Sequence, residues 1–232
     1  MGSKSAFKIP IIINNFNRLT FPMQLIAFLE RAGYTNLIIL DNRSTYPPLL
    51  EYYNQCPHQV IRLDQNYGHL ALWKSGLYTK FKWSYFAYTD SDILPGAECP
   101  PDFMLKLKNM LLSHFNVDKV GFAIRIDNLP GFFALHEKVK AYEARYWNNE
   151  VSPNVYKAPI DTTFALYKPH TALVAGEIYT VPALRLAGCY TANHLPWYND
   201  TANPTAEEKF YMDTCNASSS MGMQQKGTRM TY

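Results

Sequence analysis

Several shortages in this sequence narrow what it can be. Cysteine is scarce: Cys56, Cys99, Cys189 and Cys215 are the only four in 232 residues, and they stand far apart. With no CxxC pair and no disulfide-dense spacing, they predict reduced thiols in a cytoplasmic protein. Long apolar runs are missing too. The stretch Ile9 to Ile13 is strand-sized, so no transmembrane segment is expected. The first residues lack the hydrophobic region of a signal peptide. Met1-Gly2-Ser3-Lys4-Ser5-Ala6 also departs from the myristoylation pattern at Ala6. On that footing the sequons at Asn42, Asn199 and Asn216 are read as chance matches. Charge of one sign is weak: a net +3 is too little to argue for nucleic acid, although it suits a phosphate-bearing ligand. No linker, internal repeat or low-complexity block interrupts the chain.

Hydrophobic residues make up 47% and charged residues 18%, enough apolar side chain for a sizeable core. Aromatics reach 15%, a share that can line a groove as well as fill a core. Residues 1–232 therefore read as a single domain.

Taken in order, the chain alternates. Lys8 to Ile13 reads as a buried strand, with Pro10 at its start. A polar loop, Asn14 to Arg18, leads to a helix that Thr20 caps, Pro22 opens and Gly33 ends. Asn36 to Leu40 is a second strand, Pro47 to Gln55 a helix, and Gln59 to Leu63 a third strand. A helix follows from His69 to about Tyr78, and then an aromatic strand from Trp83 to Tyr88. This strand–helix alternation predicts an α/β fold with a mostly parallel, Rossmann-like sheet flanked by helices. Every polar loop so far follows a strand, so the loops gather at the carboxyl ends, where open α/β sheets bind ligands.

Beyond Pro95 the pattern loosens. Phe103, Met104, Leu107, Met110 and Leu111 mark one face of a helix, and Leu135 to Tyr146 another helix. Lys119 to Ile126 reads as a strand, 148–157 as a loop, and Asp161 to Tyr167 as a strand with an acid at its start. Short strand-like pieces follow near 172–174, 178–181 and 184–186. Glu207 to Met212 reads as a last helix, and the small, polar residues 216–232 as a mobile tail. The second half is thus expected to be mixed.

The chemistry concentrates in Asp90-Ser91-Asp92, just past the fourth strand. Two carboxylates at i and i+2 can share a hard divalent cation, which wants oxygen ligands. The same residues followed by Pro95-Gly96 are also sound turn chemistry. The preceding loops add an aromatic ring beside an amide (Phe16, Asn17), an acid at a strand end (Asp41), and a small turn before a helix (Asn66, Gly68). A nucleotide sugar would use all of them. Phe16 could stack on a base, or simply be core. Asp41 could accept from a base N–H, or only cap the next helix. Gly68 would permit close backbone approach, Arg18 and Lys74 would add positive charge, and a cation on Asp92 would neutralise a diphosphate.

The stretch Ile9 to Leu94 resembles nucleotide-sugar glycosyltransferases of the GT-A fold, near the large inverting family. Four motifs carry the likeness in the family's order: Asn15-Phe16-Asn17-Arg18, Asp41-Asn42-Arg43-Ser44-Thr45, Asn66-Tyr67-Gly68, and Asp90-Ser91-Asp92 as a DxD motif. The resemblance implies a donor-binding half at about 8–95 and an acceptor or catalytic half at about 96–215. It implies Mn²⁺ or Mg²⁺ as cofactor, a nucleotide diphosphate-sugar donor (UDP-sugar favoured) and a glycan or similar hydroxyl acceptor. The activity expected is that of a hexosyl- or deoxyhexosyltransferase. Phe16 stands where the family usually has Tyr beside the nucleobase, and Asp41 would contact the base. Donor contacts would include Asn66, Gly68, Asp90, Ser91 and Asp92, with Asp90 near the ribose or metal and Asp92 on the metal. Many GT-A enzymes add a late histidine to the metal, and His194 is the candidate, with His69 as its rival.

An inverting enzyme needs a general base. Asp161 leads, because the apolar Ala158-Pro159-Ile160 before it could raise its pKa; Asp127 and Glu177 are runners-up. Trp147, Trp197 and Tyr198 could floor an acceptor site. The family's acidic base motif near a helix start is not evident, which leaves inverting and retaining chemistry both open. Three other readings compete. A HAD-like phosphatase also uses strand-borne Asp-x-Asp, but there the pair closes the first strand. A nucleotidyltransferase usually opens with a Gly- and Lys-rich loop, which Asn14 to Arg18 lacks. An inactive nucleotide-sugar-binding module would have no need of the intact acid pair.

Overall fold

The computed structural model describes residues 5–171, 176 and 178–216. The pieces expected near 172–174, the acid Glu177 and the tail from 217 lie outside them.

The first half follows the expected alternation. Strands β1 (Ile11–Asn15), β2 (Leu37–Asp41), β3 (Gln59–Arg62) and β4 (Phe86–Asp90) run parallel in the order β3-β2-β1-β4. Their period-2 alternation serves both faces of the sheet. Ile11, Ile13, Leu37, Ile39 and Ala87 pack in one core, while Ile12, Ile38, Leu40, Phe86 and Tyr88 pack in the other. Helices α1 (Thr20–Arg31) and α2 (Pro47–Gln55) form the crossovers. Gly33, at φ +91°, ends the turn after α1 in a conformation that costs glycine nothing. The helix expected from His69 to Tyr78 is broken. A 3₁₀ turn (Gly68–Leu70) leads into α3 (Ala71–Lys74), and α4 (Tyr78–Phe81) starts afresh after Gly76 at φ +78°. Trp83, expected within the fourth strand, lies before β4 and is 65% exposed.

Thr20 was expected as an N-cap, but the cap residue is Leu19 and no side chain of α1 caps its own start. Glu207, from the far end of the chain, substitutes. Its carboxylate accepts from the backbone N–H of Leu19 (2.9 Å) and Thr20 (3.1 Å) and from the Thr20 hydroxyl (2.7 Å). A negative charge there also complements the helix dipole. Glu207→Ala is expected to cost about 0.5–2 kcal/mol, the usual loss on removing a cap. Urea denaturation of the variant checks this; an unchanged midpoint would show the contact to be energetically idle.

The second half is mixed. Strand β5 (Ile93–Pro95) is followed by α5 (Phe103–Ser113), β6 (Lys119–Ile124) and α6 (His136–Ala144). All five apolar residues expected on the face of α5 are buried. Residues 148–157, expected as a loop, form a hairpin of β7 (Glu150–Ser152) and β8 (Val155–Lys157), turning at Asn154 with φ +62°. Its outer strand is exposed along its whole length, so no apolar alternation announced it. Strand β9 (Ala165–Tyr167) is shorter than expected and leaves Asp161 outside it, exposed in the segment before it. The piece expected at 184–186 is part of a much longer strand, β10 (Ala183–His194), irregular between Leu186 and Thr191, whereas 178–181 forms a turn and a bend. The ten-stranded sheet continues from β4 as β9-β6-β10-β8-β7, with β9 antiparallel to both neighbours and β5 paired to the end of β10. Helix α7 (Ala206–Thr214) closes the described chain, opened by a capping box of Thr205 and Glu208.

Candidate active site

The site grows from the carboxyl ends of β1 and β4. Asn14 and Asp90 are partners in the parallel register, so their side chains meet across the strands. Asn14 Nδ2 donates to Asp90 Oδ1 at 3.1 Å, and the Thr162 hydroxyl donates to Asp90 Oδ2 at 2.5 Å. The backbone N–H of Asp90 in turn donates to Thr162 O (2.9 Å). Burial pushes the Asp90 carboxyl well above the usual carboxylate range, and the charge of Asp92 pushes it further; the bonds from Thr162 and Asn14 pull the other way. Ser91 is fixed by its hydroxyl on Asn15 Oδ1 (2.8 Å) and its N–H on Asn14 O (3.0 Å).

Asp92 is different. The antiparallel pairing of β5 with β10 sets Ile93 opposite His194, and Leu195 N donates to Asp92 O (2.9 Å). That pairing carries His194 across the sequence to Asp92, with Nε2 at 3.6 Å from Oδ2. Asp92 Oδ1 and His194 Nδ1 are buried with no hydrogen-bond partner. The imidazole rests on Trp197, with ring centroids 4.6 Å apart. Buried polar atoms left unsatisfied on both of two facing side chains suit a further ligand. Oxygen from Asp92 and nitrogen from His194 are a donor set that Mn²⁺ accepts readily and Mg²⁺ less so. Among the described residues, no group of three or more His, Cys, Asp or Glu is arranged to hold a metal ion. Each Asp90 oxygen accepts one hydrogen bond, whereas Asp92 Oδ1 and His194 Nδ1 have no partner.

A cleft opens in front of these residues, lined by Asn14, Phe16, Arg18, Asn42, Asn66, Gly68, His69, Asp90, Ser91, Asp92, His194 and, from α7 and the two residues after it, Tyr211, Cys215 and Asn216. Phe16 is half-buried on its wall rather than in the core, edge-on to Tyr211. Arg18 is 6% exposed, not a solvated surface charge. Its guanidinium lies 3.9 Å over the Tyr211 ring, and its Nη1 is buried without a partner. Gly68 holds φ +72°, which favours glycine, and its carbonyl accepts from the side chains of Asn14 and Asn42. Its N–H donates to Asn66 Oδ1 (2.9 Å), so Asn66 shapes the turn that it lines. Burial holds the His69 imidazole below its usual pKa, against the pull of Asp161, and its Nε2 is hydrogen-bonded to the Tyr179 hydroxyl.

Three expected residues do not line the cleft, although the charge of Asp161 acts on His69 and Asp90 from beside it. Asp41 is fully buried, and its carboxylate is taken up by Tyr53 (3.1 Å), the N–H of Ser44 (3.0 Å) and Arg62 (3.3 Å). It holds the loop after β2 and has no face toward a base. Lys74 is exposed and does not line the cleft. Asp161 is exposed, and its carboxylate accepts from the N–H of Thr163 (3.0 Å), so it lacks the apolar surroundings expected of it. The runner-up Asp127 is paired with Arg125 (2.9 Å), which lowers its pKa and weakens it as a base. Trp147 lines a separate cavity with Arg125 and Asp127, while Tyr198 bonds to Asn128 and Asn193.

No family model matches the sequence, nor does any of the curated proteins compared with it. Solved structures do match. GalNAc-T7, crystallised with UDP, GalNAc and Mn²⁺, superposes with a TM-score of 0.54 at 12% identity, covering 81% of this chain and 43% of that one. The fold is of the GT-A type. Two weaker similarities are TarS of S. aureus (TM-score 0.46, 13% identity, 80% of this chain and 36% of that) and a UDP-glucose pyrophosphorylase complexed with UDP-glucose (TM-score 0.46, 11% identity, 88% and 99%). The chain spans less than half the length of GalNAc-T7 and of TarS.

The GT-A cleft also contains Asn14, outside the quoted motifs, and Asn42, which was given no role within its motif. Asn42 donates to Asn14 Oδ1 (2.6 Å) and accepts from the N–H of Tyr67 (3.1 Å), tying the loops after β1, β2 and β3 together. Consecutive asparagines at the end of an all-isoleucine strand were the available signal, because buried amides persist only where hydrogen-bonded. Tyr211 and Cys215 had no such signal, since only the packing of α7 across the loop after β1 brings them in.

Proposed function

We propose that this cleft binds a nucleoside diphosphate-sugar, UDP-sugar favoured, and transfers the sugar to a hydroxyl of a glycan or similar acceptor. Mn²⁺ or Mg²⁺ would be held by Asp92 and His194 and would supply positive charge to neutralise the departing diphosphate. The observation that carries this reading is Asp92 beside His194 on the wall of a GT-A cleft, each with a buried polar atom unsatisfied. Phe16 and Tyr211 offer ring surface to a base, and the unpartnered Arg18 Nη1 offers a charged N–H to a phosphate. Asp90, Ser91, Asn66 and Gly68 shape the donor wall. Asp161, exposed one residue from the Thr162 contact, is the acid proposed to take the acceptor's proton, and Lys74 adds long-range positive charge. The division into a donor half (8–95) and an acceptor half (96–215) belongs to the same proposal. A phosphatase with Asp90 as nucleophile fits less well, since both its oxygens are engaged and it closes the fourth strand.

The test is a thermal-shift screen of UDP-, GDP- and dTDP-sugars, each with and without Mn²⁺. A donor near 100 times its Kd adds about 2.7 kcal/mol, and each kcal/mol moves the Tm of a chain this size by about 2–4 °C. A shift of several degrees that requires both donor and metal is expected. No shift with any pair would overturn the proposal.

A further inference from the structure

A buried lysine lies beneath the cleft with no catalytic role yet given to it. Lys119 opens β6, and its side chain is 0% exposed. Among the described residues it forms no ion pair with a carboxylate. Its ammonium donates instead to two main-chain carbonyls from distant segments, Ile160 O and, at 2.6 Å, Ile178 O. It also lies 5.4 Å from the centre of the Tyr167 ring. Burial lowers its pKa to about 7, with Asp161 opposing that shift and Arg185 adding to it. An apolar side chain of similar volume would fill this space without desolvating an ammonium. The two carbonyls are what the amine provides for.

Each carbonyl belongs to a segment that touches the cleft. Two residues beyond Ile160, Thr162 both donates to Asp90 Oδ2 and accepts from the Asp90 N–H. One residue beyond Ile178, Tyr179 is hydrogen-bonded to His69 through its hydroxyl. A second buried cation braces the first segment, Arg185 donating to Pro159 O at 2.8 Å.

We propose that Lys119 is a positioning residue: its ammonium fastens the Ile160 and Ile178 segments to one another under the cleft, holding Thr162 on Asp90 and Tyr179 on His69. The inference rests on the proposed function only where turnover is the readout.

Lys119→Met keeps the length of the stem and removes the donors. The His69 imidazole is followed by NMR titration, its signal assigned by its loss in His69→Gln. In Lys119→Met, release of Tyr179 admits water to the ring, and the His69 titration midpoint is expected to rise toward the ordinary histidine value. An unchanged midpoint in a folded variant would overturn the proposal. If Lys119→Met does not fold, hydrogen exchange in the wild-type chain decides instead. Amides of 160–163 and 178–180 are expected to exchange with closely similar protection, below that of β4. Protection differing more than tenfold between the segments would overturn the clamp. With a donor that binds, Lys119→Met is further expected to lower kcat more than it raises KM. Should no nucleotide sugar bind the wild-type chain, the proposed function fails, and the His69 titration still decides the role of Lys119.

Discussion

Replacing Asp92 with asparagine is expected to remove metal-dependent donor binding and leave the fold intact. Asn and Asp have nearly the same shape, so the turn between β4 and β5 keeps its geometry. The structural work of this residue is done by its backbone, whose carbonyl accepts from Leu195 N at 2.9 Å. The side chain makes no hydrogen bond through Oδ1. What the substitution removes is a negative charge facing His194 at 3.6 Å and the cleft in front of both. Loss of one preorganised electrostatic group costs on the order of 10²–10³-fold in turnover, and the donor-dependent thermal shift with Mn²⁺ should vanish. Tm without ligand should move by no more than about 2–4 °C, the effect of about 1 kcal/mol. Wild-type transfer rates in Asp92→Asn would remove Asp92 from the proposed metal site. A collapse of Tm would show that its role is structural.

Arg185→Met is expected to be the most destabilising single change away from the cleft. Arg185 and Glu143 form a buried pair at 3.0 Å, with side chains 4% and 11% exposed. The guanidinium also reaches Pro159 O and packs on Tyr146, 4.0 Å from its ring centre. Methionine fills much of the volume but leaves Glu143 buried without its partner, which costs about 3–5 kcal/mol. The sign of the pH dependence follows from Glu143. Burial already raises its carboxyl pKa, and Arg185 is the main influence lowering it. Without Arg185 the folded-state pKa rises further above the unfolded value. Between those two values the folded state binds more protons than the unfolded state, so stability falls as pH rises. The deficit of Arg185→Met should therefore be larger at pH 8 than at pH 5, as read by denaturant midpoints at the two values. Adding Glu143→Leu should recover most of the loss at pH 8, since it removes the stranded charge. Equal deficits at both pH values would show that Glu143 does not carry the effect.

The first half of the chain was legible because local rules govern it. All-apolar strands such as Ile11 to Ile13 and Leu37 to Leu40, each ending in a polar loop, can only be buried on both faces of a parallel sheet. Parallel strands then deliver Asn14, Asp41, Gly68 and Asp90 to one edge by topology alone. What those residues do there was less legible. Asp41 sits at the right strand end, but Tyr53 and Arg62, which approach from α2 and β3, occupy its carboxylate.

The DxD stretch itself was visible at once, as was the histidine near the end. Their meeting was not derivable from spacing, since it depends on β5 turning back to pair with a strand about a hundred residues on. In the same way, the hairpin at 150–157 and the closure of the cleft by α7 depend on non-local pairing that leaves no periodic mark in an exposed or amphipathic segment. The sequence alone determined the parallel sheet, the edge that bears the chemistry and the acids on it, because period and turn residues are local properties. Only the tertiary structure decided which acids face a ligand and which bond inward, because a carboxylate's role is set by the groups packed around it.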